Sequence, residues 1–204
     1  MEVNHKIEAV IWDMGGVLLR SEHYLYREQL AERFEITREE LEHRVFNSES
    51  ARLATIGKIS QEEHWKITAH GFGLKDDEIA NFEASFWAGD QCDEELVRYI
   101  ESLKTDHKTG LLSNAWMGTR EMLERKYGCL DIFDLAVFSY EVGYAKPDAR
   151  IYRYILEKLD VAPERTIFVD DFELNVKAAQ ELGIVGIHFT GRNQVIQEIN
   201  SIIK

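Results

Sequence analysis

"IWDMGGVLLR", residues 11–20, is the stretch on which the reading of this chain turns. The apolar run Ile7–Trp12 leads straight into Asp13, and Gly15 and Gly16 follow almost at once. Continuous rather than alternating apolar residues mark a strand buried on both faces of a parallel sheet. Ligands of such sheets gather at the carboxyl ends of the strands. An acid at the end of this strand therefore stands where chemistry is expected, and the glycines allow a tight turn beside it.

Further short runs of the same kind follow at 109–113 (TGLLS), 135–139 (LAVFS), 166–169 (TIFV) and 184–189 (IVGIHF). Amphipathic segments of helical period lie between the last four. The segment DEELVRYIESLK places Leu96, Ile100 and Leu103 on one face after an acidic first turn. Strand–helix alternation predicts an α/β fold, a Rossmann-like doubly wound parallel sheet formed by residues 1–19 and 89–204. Residues 20–88 break the rhythm. Thr37 with Glu40, and Ser60 with Glu63, have capping-box spacing, with Ile36 and Leu41 as a hydrophobic staple. Ile79, Phe82 and Phe86 form a stripe. With no strand signal there, the segment predicts an inserted helical bundle.

Bulk composition narrows the function. The 204 residues suffice for one sizeable core plus a small insert. Thirty-seven acids against 24 bases give a formal charge of -13, which argues against nucleic-acid and anionic-membrane partners. Cys92 and Cys129 are isolated in sequence, without metal-site or disulfide spacing. The N-terminal stretch lacks the apolar core of a signal peptide. A cytoplasmic protein is expected, of unread oligomeric state, and only two prolines argue against a flexible linker.

Four polar signals sit at strand ends: Asp13 with its glycines, Ser113–Asn114, Lys146 before Pro147, and Asp170–Asp171. Singly, each has a structural explanation as a turn residue, a helix cap or a solvated charge. Together they make a chemical set. Three converging carboxylates repel one another, and a hard divalent cation resolves the repulsion; oxygen-only ligands favour Mg²⁺. Lys146, the Ser113 hydroxyl and the Asn114 amide add donors for an anion, with a helix N-terminus after Asn114. A carboxylate nucleophile, a metal and an anion cradle suit phosphoryl transfer.

The stretches IWDMGGVLL, LLSNAW, GYAKPDARIY and FVDDFELNV resemble the four motifs of the haloacid dehalogenase-like hydrolase superfamily over essentially the whole chain. The likeness is to its branch with a small helical cap, which holds sugar-phosphate phosphatases and the phosphatase domain of soluble epoxide hydrolases. It implies Asp13 as nucleophile, with Ser113, Asn114 and Lys146 on the phosphoryl group of a small phosphorylated substrate. It also implies Mg²⁺ on Asp13, the Gly15 carbonyl and Asp171, with Asp170 beside it or bound through water.

One departure stands out. Phosphatases of this superfamily usually have a second aspartate two residues after the nucleophile, as general acid and base. Here that position is Gly15. Such a group is worth about 10²–10⁴-fold in rate. A phosphatase for good leaving groups, a 2-haloacid dehalogenase and a non-catalytic phospho-ligand binder are the competing expectations. Dehalogenases resemble a pair of serines where Asp170–Asp171 stand. Phosphonoacetaldehyde hydrolases use a cap lysine, but Lys58, the one counterpart on offer, reads as a solvated turn lysine, and Asp170–Asp171 does not match that group's fourth motif. The turn around Gly57 is expected to face the site, with Arg20, Arg52 and Lys58 beside it. Trp116 fits either the pocket wall or the core.

Overall fold

A computed structural model describes residues 6–21 and 24–203; residues 1–5 of the N-terminal stretch read above lie outside it. β1 (Ala9–Trp12) is fully buried at the centre of a sheet ordered β5-β4-β1-β6-β7. Its companions are β4 (Lys108–Ser113), β5 (Leu135–Phe138), β6 (Thr166–Asp170) and β7 (Val185–His188), and every pairing is parallel. These are the five apolar runs of the sequence. Trp12 is in register with Leu111 on one side and Val169 on the other. Asp13 and Asp170 therefore leave the sheet side by side.

The alternation of β1 explains the two layers around it. Val10 and Trp12 face a cluster that includes Leu96 and Ile100 of α6 (Glu94–Leu103) and Val195 and Ile199 of α11 (Arg192–Ile202). Ile11 faces Ile151 and Ile155 of α9 (Ala149–Leu159) and Ala179 of α10 (Glu173–Gln180). Asp93 caps α6 by accepting the Leu96 N–H at 2.9 Å. Two single-turn helices, α7 (Thr119–Met122) and α8 (Ser139–Val142), follow β4 and β5.

Five helices occupy the broken stretch: α1 (Leu25–Arg33), α2 (Arg38–Phe46), α3 (Glu49–Thr55), α4 (Gln61–Gly71) and α5 (Ile79–Trp87). Thr37 and Ser60 accept the Glu40 and Glu63 N–H groups at 3.1 Å, as their spacing predicts. The expectation that no strand lies in 20–88 is corrected at its edge. β2 (Leu19–Ser21) and β3 (Asp90–Cys92) pair antiparallel as a neck between sheet and helices. Three-residue strands carry too little periodicity to be read from sequence. The neck also brings Cys92 close to Cys129: the neighbouring thiol and burial push the Cys92 pKa up, so residues 37 apart in sequence are neighbours in space.

The helical insert is not closed on itself. Its core of Leu41, Trp65, Phe82 and Phe86 takes in Trp116 from the loop after β4. That indole lies 4.3 Å from the His64 ring and 5.8 Å from Trp65, and its N–H donates to Thr55 at 3.1 Å. Trp116 thus fastens the insert to the sheet. Trp116→Ala removes a large buried ring that little can replace, and should cost about 3–5 kcal/mol in denaturant unfolding. A loss below about 1 kcal/mol would detach Trp116 from that role.

Candidate active site

Asp13 follows β1 directly, and its N–H donates to Val169 O at 2.8 Å, continuing the sheet by one bond. The side chain is turned inward and is only 8% exposed. Lys146, in the loop before α9, is 4% exposed and reaches both Asp13 Oδ1 and Asp170 Oδ2 at 2.6 Å. A buried amine survives only with such partners. Burial works against its charge, but Asp13 and Asp170 outweigh it and raise the Lys146 pKa.

Asp170 is fully buried at the end of β6 and is saturated with donors. Besides Lys146 it accepts the Phe172 N–H at 2.8 Å and the Asn175 amide at 3.1 Å on both oxygens. The next residue, Asp171, is exposed. Oxygens of Asp13, Asp170 and Asp171 all lie within 4.8 Å of one another. Burial, and then Asp170 and Asp171 against the opposing pull of Lys146, push Asp13 up to about 7. Burial and Asp170 likewise raise Asp171. One lysine does not neutralise three carboxylates.

The two glycines of the opening stretch do different things. Gly16 has φ of +76°, and a Cβ there would fall inside the Asp171 carboxylate. Its absence is the cradle in which Asp171 sits. At Gly15 a Cβ would meet nothing within 4 Å, and its φ is not in the left-handed region. The missing side chain at 15 is a chemical omission rather than a steric one.

Ser113 ends β4, and its buried hydroxyl has no hydrogen-bond partner. An orphaned buried hydroxyl next to a cation-binding cluster fits an anionic ligand. Asn114 reaches to Lys146. Its amide donates to Lys146 O at 2.9 Å and accepts from Lys146 N–H at 2.8 Å, so both ends are engaged by backbone. It thus clamps the Lys146 backbone, a contact the sequence did not signal. Nor does a helix begin at Asn114; α7 starts only at Thr119, after Gly118 with φ of +91°. Ser139, which sequence reading did not single out, accepts the Ala115 N–H at 2.9 Å and so holds this loop. Asn175, the Asp170 partner, was likewise missed, although it stands in the stretch FVDDFELN.

A cavity of about 750 Å³ opens from Gly15, Gly16 and Asp171 and runs between sheet and insert. Trp116 lines it as well as filling the insert core, and Arg20 lines it while pairing with Asp93. Arg52 and Lys58 are exposed and not among its lining residues. The turn at Gly57 does not face it either. A Cβ at Gly57 would be 2.5 Å from Tyr140 O, so the turn rests on α8. Thr55, one turn earlier, supplies the lining.

A strand-end acid, a buried lysine and a carboxylate pair are thus gathered at the carboxyl ends of the strands of a doubly wound sheet. Residues 7–183 match the haloacid dehalogenase-like hydrolases, and the chain belongs to that family. It is 28% identical over 200 residues, 96% of each chain, to a sesquiterpene phosphatase of Aspergillus oryzae. To a phosphorylated carbohydrates phosphatase of Thermotoga maritima it is 27% identical over 89% of this chain and 84% of the relative. A family enzyme from Bacteroides thetaiotaomicron, solved with magnesium and inorganic phosphate, superposes with a TM-score of 0.74 at 22% identity, covering 91% of this chain and 96% of that one. Among the described residues no helix is long and apolar enough to cross a membrane.

The raised Asp13 pKa has a measurable sign. Between the ordinary value of 3.8 and about 7 the folded protein holds a proton that the unfolded chain has lost. Metal-free stability therefore falls as pH rises through that window, and the loss is complete above it. A cation that replaces the proton restores the loss, so MgCl₂ should raise Tm over EDTA more at pH 8 than at pH 5. An equal gain at both pH values would count against a cation at this cluster.

Proposed function

We propose that the protein is a Mg²⁺-dependent phosphatase that hydrolyses a small phosphorylated metabolite through an aspartyl-phosphate on Asp13. The observation that carries the reading is the cluster of Asp13, Asp170 and Asp171, the first two buried and joined by Lys146, beside the unpartnered Ser113 hydroxyl. Sugar phosphates are the favoured substrates by resemblance, and the cytosol is the expected compartment. The phosphatase names of two relatives that align over most of the chain point the same way.

In this reading the Asp13 carboxylate attacks phosphorus and the bond to the leaving oxygen breaks, which transfers the phosphoryl group to Asp13. Water then attacks phosphorus, releasing inorganic phosphate and the free carboxylate. Lys146 and the Ser113 hydroxyl hold phosphoryl oxygens, and the Asn114 clamp keeps the lysine in place. Asp13, the Gly15 carbonyl and Asp171 would hold Mg²⁺, with Asp170 behind them fixing Lys146. The ion supplies positive charge against the clustered carboxylates and the phosphoryl oxygens. The insert, residues 20–88 in the sequence reading, serves as a cap that keeps water from the cavity. A dehalogenase has no use for the carboxylate pair at 170–171.

Gly15 leaves the departing oxygen without a proton donor from this loop. Rates should therefore follow the leaving group's own acidity, with aryl phosphates outrunning alkyl phosphates. Asp13→Asn should abolish phosphate release while leaving the fold intact. Because space is open at Gly15, Gly15→Asp should fold and accelerate alkyl phosphates the more, by up to about 10²-fold. Turnover by Asp13→Asn at the wild-type rate would remove Asp13 from the mechanism. Equal acceleration of both esters by Gly15→Asp would remove the missing-acid account.

A further inference from the structure

The wall of the cavity away from the aspartates is crowded with charge, and nearly all of it is internally paired. Arg27 holds Asp90 at 2.8 and 3.0 Å and Glu42 at 3.1 Å, and Arg38 stands 3.5 Å from Glu42. Arg20 pairs with Asp93. Lys126 lies over the Tyr127 ring, 4.9 Å from its centroid, and Glu83 is the acid of this wall without a basic partner. It projects from α5 into the same cavity, half-buried, and among the described residues no lysine, arginine or histidine pairs with it.

Its close partners are neutral: the Gln61 amide, at the start of α4, donates to Glu83 at 2.7 Å, and the Trp65 indole acts with it against the burial that raises the Glu83 pKa. Gln61 also lines the cavity, and its carbonyl oxygen lies 3.9 Å from where a Cβ on Gly118 would stand. The pair thus hangs from the insert over the loop that follows Ser113 and Asn114. Burial and the nearby Glu62 raise the Glu83 pKa, as expected for a carboxyl group short of donors. What remains unfilled is acceptor capacity, on the second Glu83 oxygen and on the Gln61 carbonyl.

We propose that Glu83, together with Gln61, is a specificity-determining pair that accepts hydrogen bonds from hydroxyl groups on the leaving part of the substrate. The inference rests on the phosphatase reading above. An apolar leaving group would strip water from these acceptors and return nothing. An ammonium group would look for aromatic faces as well as a carboxylate. Two of the lining rings already carry a cation of the protein's own: the Arg27 guanidinium lies 5.7 Å from the Trp87 ring centroid, and Arg38 lies 3.9 Å from Tyr24. Neutral hydroxyls are what this wall has room for.

The test uses three esters with Mg²⁺: a hexitol 6-phosphate, n-hexyl phosphate and p-nitrophenyl phosphate. The first two share chain length and differ in hydroxyls. Wild type should favour the hexitol ester by at least about tenfold in kcat/KM. Glu83→Gln, which keeps size and shape, should lower the hexitol-to-hexyl ratio by about tenfold, and Gln61→Met should move it in the same direction. A wild-type preference for hexyl phosphate overturns the proposal. So does a proportional loss on both alkyl esters in the two variants, the signature of a structural role. Failure of wild type to cleave even p-nitrophenyl phosphate defeats the phosphatase reading itself, and the inference falls with it.

Discussion

Everything at the strand ends is arranged around one buried amine. Lys146 lies between Asp13 and Asp170 with almost no contact with solvent. Moving such charges out of water costs several kcal/mol for each ion, so the arrangement holds only if the geometry is enforced from all sides. β1 and β6 are adjacent in the sheet, which sets the two acids side by side. Asn114 bonds both the N–H and the carbonyl of Lys146, and Asn175 donates to both oxygens of Asp170. Deleting any of these supports would leave a buried charge short of a partner.

The excess of negative charge is as telling as the pairing. Four side chains, three acidic and one basic, together with burial, push the Asp13 pKa up to about 7. The site is therefore incomplete by its own electrostatics and is poised for added positive charge. Gly16 contributes by having no side chain, since the Asp171 carboxylate fills that space. The neighbouring Gly15 has space to spare, so the absence of an acid there is a choice of chemistry and not of packing.

The sheet was legible because its strands are continuous apolar runs, a pattern few other structures produce. Three of the four motifs were legible because each is polar at the end of such a run, whereas Lys146 lies eight residues past β5, beyond α8. Local spacing also revealed the Thr37 and Ser60 caps. What escaped notice depends on distance in sequence. The Asn114 clamp went unread because nothing local signals that Lys146, 32 residues on, will occupy its amide. Glu83 and Gln61 meet across 22 residues and lie in helices whose pattern reports only the buried face. Arg20 was placed beside the turn that was to face the site, and nothing local signals that Asp93, 73 residues away, is its partner. The neck strands were too short to carry a period.

The reach of Trp116 into the insert sets an order of events during synthesis. Residues 24–87 leave the ribosome before Trp116 does, so their aromatic core lacks one of its rings until the chain has passed that point. β1 waits as well, for β4 to pair on one side and for β6, past residue 165, on the other. Chains fold from the N-terminus as they emerge, and exposed strand edges are where they go astray. The helices between β2 and β3 are thus a nascent bundle held open for a later residue. The protein becomes a closed unit only when its last third has been made.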